Sequence, residues 1–246
     1  MRLKKVKLLM KDYPAGLAIT AACLTLLSSC GDGNVDQVNS RNQYNHNSVF
    51  PPKIVGETSV PPAGELIFPY TISRNSIELP DKTMLYVNIE MTEGEYYDRS
   101  SPKYVQRGGV FDTNYLGYYR VAIYTDSSAS DAVYTLPVMF DTDQLNFEKE
   151  FSLVFDDYND DGNPDFTLGQ WADENGSSYR LFTILPGGEI QQLSCEGLCA
   201  AGFESSLRLA KASPTSFSCE VYDINTGKNV TLTYSWQDDA FVLQKN

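Results

Sequence analysis

The segment MLYVNIEM at residues 84–91 alternates apolar and polar side chains with a period of two. One face of the segment carries Leu85, Val87, Ile89 and Met91. The opposite face carries the polar residues Asn88 and Glu90. This alternation is typical of a β-strand with one buried face, because successive side chains point to opposite sides of a sheet.

Similar runs recur along the chain, separated by clusters of Gly, Pro, Asn, Asp and Ser. They lie at 118–124, 151–155, 180–185, 216–222, 229–236 and 240–244, and the last three predict a closing meander. The run 132–140 contains Pro137, so we expect an edge strand there. Only Gly202–Lys211 admits a short helix. The sequence therefore predicts an all-β fold, an antiparallel sandwich or meander.

The first 29 residues have the composition of an export signal. A basic stretch from Arg2 to Lys11 precedes an apolar one at 17–27, which is too short to cross a bilayer core of about 30 Å as a helix. The residues that follow, Leu27 to Cys30 (LSSC), resemble the lipobox of bacterial lipoproteins. The resemblance implies cleavage before Cys30, a diacylglycerol attached to its sulfur, and a membrane-anchored extracytoplasmic protein.

The rest of the chain divides by composition. Residues 30–50 are rich in Asn, Gly, Gln and Ser, which predicts a flexible tether. We expect a β-rich domain at 51–142 and a second β module at 143–246, and the sequence leaves open whether they form one domain or two.

The chain is strongly acidic, with a formal net charge of −13. Residues 1–29 hold five basic residues and one acidic residue, so their removal makes the remainder more negative. Such a surface repels nucleic acid and anionic lipid headgroups, and it suits solubility or cation binding. We therefore expect no nucleic-acid partner.

Residues 157–165, DYNDDGNPD, form one sharp motif, D-x-N-x-D-G-x-x-D, which we call the acidic loop. Calcium takes 6–8 oxygen ligands at about 2.3–2.6 Å, and alternate residues of a curled loop point their oxygens inward. Gly162 permits the sharp turn. The predicted Ca²⁺ ligands are the side chains of Asp157, Asn159, Asp161 and Asp165 and the backbone carbonyl of Asn163.

The acidic loop is not an EF-hand, since the twelfth position from Asp157 is Leu168 and not a bidentate Glu. With the apolar Phe166 and Gly169 that follow, it resembles the FG-GAP and VCBS repeats. The resemblance implies that the loop joins two β-strands in a hairpin and holds calcium. Several copies build propellers in that family, but this sequence has no second copy, so we expect no full propeller. We expect the calcium to be structural, since the loop's carboxylates would repel one another without it.

Three cysteines lie outside the export signal and the lipobox: Cys195, Cys199 and Cys219. Export permits disulfides. We expect one disulfide and one buried thiol, with Cys195 or Cys199 bonded to Cys219, since the short Cys195–Cys199 spacing is awkward for disulfide geometry.

Few enzyme classes fit the sequence. The only histidine, His46, lies in the tether, so Ser-His-Asp and Cys-His sites are disfavoured. A pair of carboxylates could hydrolyse glycosides, but no catalytic signature stands out. We therefore expect no enzymatic activity.

The sequence favours a binding or adhesion module at the cell envelope, with a protein or glycan ligand. Exposed aromatic residues often line such surfaces, although ordinary packing between strands is the simpler interpretation. The candidates are Tyr96, Tyr97, Tyr115, Tyr118, Tyr119 and Trp171. Two alternatives stay open: an envelope structural or assembly protein without a small ligand, and a carboxylate-based hydrolase.

Overall fold

The structure is a computed structural model, and it describes residues 53–54, 66–101, 113–142 and 144–244. All of these residues belong to one compact unit, His46–Asn246. The expected export signal, the lipid-bearing Cys30 and the tether at 30–50 lie outside the described residues.

The described residues form strands and turns and contain no helix. Accordingly, they include no helix that is long and apolar enough to cross a membrane. The strands are β1 Lys53–Ile54, β2 Tyr70–Glu78, β3 Met84–Asp98, β4 Thr113–Tyr124, β5 Tyr134–Pro137, β6 Leu145–Phe147, β7 Phe155–Asp156, β8 Asp165–Asp173, β9 Gly176–Ile184, β10 Ile190–Cys195, β11 Cys199–Ala200, β12 Ala210–Ser213, β13 Ser216–Asp223, β14 Lys228–Gln237 and β15 Ala240–Leu243.

The first sheet has six strands in the order β1-β2-β3-β4-β5, and β6 also pairs with β4. Neighbouring strands follow one another along the chain and are antiparallel, so this sheet is a meander. The strand that ends at Pro137 lies at the sheet edge, as predicted, where its missing N–H costs no ladder hydrogen bond.

The second sheet has nine strands in the order β12-β13-β14-β15-β10-β9-β8-β7, and β11 pairs with β9. Its pairs are antiparallel except for β10 and β15, which run parallel. The predicted closing meander is present as β13, β14 and β15. An all-β fold that is not a full propeller is thus confirmed.

The first core consists of apolar residues from both sheets. Strand β3 contributes Leu85, Val87, Ile89 and Met91, the face that the alternating pattern at 84–91 predicts to be buried. Strands β7 to β10 contribute Phe155, Phe166, Leu168, Phe182, Ile184 and Ile190. The first core therefore contains residues from both expected regions, 51–142 and 143–246.

The second core covers the other face of β9. Phe182 and Ile184 belong to the first core, whereas Tyr179 and Leu181, which alternate with them, belong to the second. Phe217 lies at the centre of the second core, with its ring centroid 5.6 Å from Tyr158, 5.4 Å from Tyr234 and 4.7 Å from Phe241. Strand β9 is therefore buried on both faces.

The helix considered at Gly202–Lys211 is absent, so that prediction was wrong. The segment uses its backbone groups for contacts with distant strands. Gly169 N donates to Ser205 O, and Leu207 N donates to the Thr167 hydroxyl at 2.7 Å. Tertiary partners thus replace the hydrogen bonds that a helix would form within itself.

We expect Phe217→Ala to lower the free energy of unfolding by about 3–5 kcal/mol, since it leaves a cavity among packed rings. Urea unfolding followed by circular dichroism measures the change. Phe203 is 45 % exposed, and Phe203→Ala is the matched control, expected to change stability by less than about 1 kcal/mol. If both variants lost the same free energy of unfolding, the burial of Phe217 at the centre of the second core would be contradicted.

Candidate metal centre

The acidic loop forms the turn of the β7–β8 hairpin. Phe155 pairs with Phe166, and Asp156 pairs with Asp165. The residues between these pairs therefore project from the end of a two-stranded ladder, in agreement with the hairpin that the motif implies.

The loop backbone turns sharply at two residues with positive φ. Asp160 has φ of 62° and Gly162 has φ of 82°. Asp tolerates this region better than most residues, and Gly adopts it freely. A Cβ at Gly162 would meet nothing within 4 Å, so glycine is favoured there for its backbone freedom and not for lack of space.

Side-chain oxygens of the predicted ligands turn towards the loop interior. The Asp157 carboxylate accepts hydrogen bonds from the backbone N–H groups of Asp161 at 3.2 Å and Gly162 at 3.0 Å. The Asp161 carboxylate accepts one from Asn163 N at 2.8 Å and one from the Asn159 amide at 3.0 Å. These hydrogen bonds bring three of the predicted ligands, Asp157, Asn159 and Asp161, close together.

Asp165 is the most unusual member of the set because it is fully buried, at 0 % exposure. Its Oδ2 accepts a hydrogen bond from Tyr158 N at 2.8 Å, whereas its Oδ1 has no hydrogen-bond partner among the described residues. The pKa of Asp165 is raised to about 8, chiefly by burial; Tyr158 N and the Thr183 side chain act to lower it, and the charges of Asp161 and Asp157 add to the rise. The Thr183 hydroxyl lies across the ladder, but its geometry falls short of a hydrogen bond.

A buried carboxylate oxygen without a partner is energetically costly. A divalent cation in the loop would neutralise Asp165 and supply the missing partner. The side chains offer only hard oxygen ligands, the type that calcium prefers. The residues therefore fit calcium, although no three described His, Cys, Asp or Glu side chains already form a metal-binding group.

A second buried acid beside the loop is already neutralised. Asp156 Oδ2 accepts a hydrogen bond from Arg208 Nη1 at 3.1 Å. The Lys211 ammonium contacts the backbone carbonyl of Asp157. The segment before and within β12 thereby holds the base of the loop in place.

The motif analysis missed Tyr158, which occupies a variable position of the pattern. It is fully buried in the second core, and its hydroxyl accepts a hydrogen bond from Leu209 N at 3.1 Å. Its ring lies edge-on to Phe217. A single aromatic residue inside an otherwise polar run was the one available signal.

The three cysteines come close together around the second core, but the structure holds them as free thiols, without the expected disulfide. The Cys219 thiol donates to the backbone carbonyl of Cys199 at 3.1 Å. Burial raises the pKa of Cys195 to about 12 and that of Cys219 to about 11. The pairing of Cys195 or Cys199 with Cys219 stays a prediction.

The aromatic candidates separate by burial. Tyr115 and Tyr119 are 2 % and 3 % exposed and pack in the first core, as the simpler interpretation holds. Tyr118 and Trp171 are 43 % and 40 % exposed. Tyr96 is partly buried and packs against the first core, and Tyr97 is buried. The six residues therefore do not form one common surface.

Comparison with known proteins finds no similar family, curated protein or solved structure. The resemblance of the acidic loop to FG-GAP and VCBS repeats accordingly rests on the motif.

The pKa of Asp165 gives a pH dependence in calcium-free buffer. Because its pKa rises from 3.8 to about 8 on folding, the folded chain binds this proton more tightly than the unfolded chain. Its contribution to stability should be full below pH 3.8 and be lost as the pH rises through about 8. Urea unfolding of the chelated protein across this range measures the loss.

Asp165→Asn should not show this loss of stability as the pH rises through about 8. Asp238→Asn changes an exposed acid elsewhere and should still show it. If wild type and Asp165→Asn show the same pH profile, then Asp165 is not the titrating group.

Proposed function

We propose that this chain is an exported, lipid-anchored protein of the bacterial cell envelope that acts as a binding or adhesion module. Its acidic loop holds one structural calcium ion, and its β-fold presents a surface to a protein or glycan ligand. The lipobox and the tether support the anchoring, and the acidic charge disfavours nucleic acid as a partner.

The observation that carries the calcium site is the unpartnered, fully buried Oδ1 of Asp165 beside the other loop acids. Asp157, Asn159, Asp161 and Asp165 would hold the ion with their side chains. Asn163 would add its backbone carbonyl. Calcium would neutralise the carboxylates that otherwise repel one another.

The position of the loop explains why such an ion would be structural. Phe155 and Phe166, on either side of the hairpin, are buried in the first core, and Tyr158 within the loop is buried in the second core. An ion that closes the loop would therefore stabilise the junction at which both cores meet.

Calcium should raise the melting temperature of the wild-type chain by about 5–10 °C, because a ligand that binds only the folded state stabilises it. Asp161→Ala should remove most of this increase, because it deletes a predicted ligand at the loop centre. Differential scanning calorimetry in calcium and in chelator measures both effects.

Asp160→Asn is the control for this experiment. It removes a neighbouring charge, keeps a residue that tolerates positive φ, and changes no predicted ligand. It should retain the calcium response. Equal wild-type melting curves in calcium and in chelator would exclude the metal site.

Lipid attachment is testable separately in a bacterial host that processes lipoproteins. Cys30→Ser should abolish metabolic labelling of the chain with an alkyne fatty acid and release it from the membrane fraction. Cys23→Ser alters the other N-terminal cysteine and should leave labelling intact. Persistent labelling of Cys30→Ser would show that this residue does not bear the lipid.

A further inference from the structure

A polar cleft of about 330 Å³ lies on the outer face of the first sheet, opposite the first core. Its lining includes Thr71 and Arg74 on β2 and Asn88 and Glu90 on β3. Thr71 pairs with Glu90, and Arg74 pairs with Asn88, so these four side chains share one face of the ladder. The volume is at the lower end of the range for small-molecule pockets, about 300–1,000 Å³.

The cleft is lined in part by the buried carboxylate of Glu90, which several hydrogen bonds hold in place. Glu90 is 2 % exposed, although it lies on the polar face of its strand. Its Oε2 accepts hydrogen bonds from Arg120 Nε at 3.0 Å and Nη2 at 2.9 Å. Its Oε1 accepts one from the Tyr124 hydroxyl at 2.6 Å and a longer one from the Asn88 amide at 3.4 Å.

This network leaves the cleft without net charge. Arg120 neutralises Glu90, and the remaining charged groups, Arg74 and Asp126, carry opposite signs. The Arg74 side chain forms no hydrogen bond or ion pair with another residue that the structure describes. A neutral ligand that both donates and accepts hydrogen bonds suits this lining better than an anion or a cation.

Two tyrosines complete the cleft. Tyr86 and Tyr124 are paired neighbours on β3 and β4, and both line it. The Tyr124 hydroxyl is held as a donor by Glu90, and burial together with that carboxylate raises its pKa to about 12. Aromatic rings beside polar side chains offer an apolar face and hydrogen bonds at once, which matches the C–H faces and hydroxyls of a sugar ring.

We propose that this cleft binds a neutral sugar unit of a glycan. The inference rests on the binding role proposed above and narrows its ligand. A protein partner would need roughly 800 Å² of surface on each side, whereas a cleft of this volume suits one or two sugar rings.

Saturation-transfer difference NMR tests the proposal with the full-length chain in a detergent without sugar headgroups and with calcium present. The probes are methyl glucoside, methyl galactoside, methyl mannoside and N-acetylglucosamine at millimolar concentration. At least one should give transfer signals with the wild-type chain. Arg74→Ala removes a charged donor and Tyr86→Ala removes a ring face, so each variant should bind that sugar about tenfold more weakly than the wild type.

The controls are exposed residues outside the cleft. Arg99→Ala matches the loss of an arginine, and Tyr222→Ala matches the loss of a tyrosine on β13. Both should bind the sugar like the wild type. No transfer signal from any of the four sugars, or undiminished binding by both cleft variants, would overturn the proposal.

The result is separable from the calcium site, which belongs to the other sheet. If calcium raises the melting temperature and no sugar binds, the sugar proposal fails and the calcium site stands. If a sugar binds and calcium has no effect on melting, then the calcium site fails and the glycan cleft stands.

Discussion

Strand β9 is the element on which the two cores depend, because its alternate side chains are buried on opposite faces. Phe182 and Ile184 pack against the first sheet, and Tyr179 and Leu181 pack under β13 to β15. A one-residue slip of β9 would exchange the side chains that fill the two cores, so the packing on both faces fixes its register. The neighbouring β8 and the acidic loop are therefore attached to a rigid support.

The attachment of β8 to β9 explains why the Asp165 carboxylate is fully buried with one unpartnered oxygen. It pairs with Thr183 of β9 and lies on the side of β8 away from Phe166, so the ladder holds it in the interior. A carboxylate at a flexible loop tip would turn towards water, but this one cannot. The same constraint makes its charge costly, the charges of Asp161 and Asp157 add to that cost, and a divalent ion in the loop would offset it.

Glu90 shows a different solution to the burial of a charge. Its carboxylate is balanced within the protein by Arg120 and Tyr124, so no external ion is required. Removing one partner of such a buried pair typically costs about 3–5 kcal/mol. The described residues thus include two buried acids that protein partners satisfy, Glu90 and Asp156, and one, Asp165, that they satisfy only in part.

The sequence alone determined the strand content, the buried face of 84–91, the edge strand at Pro137 and the hairpin position of the acidic loop. These features depend on short-range patterns of side-chain polarity and backbone freedom, which neighbouring residues carry. Tertiary structure alone decided the burial of Glu90 and Asp165, the anchoring role of Tyr158 and the non-helical form of Gly202–Lys211. Each of these depends on residues from strands far apart in the chain, whose contacts arise only when the sheets pack.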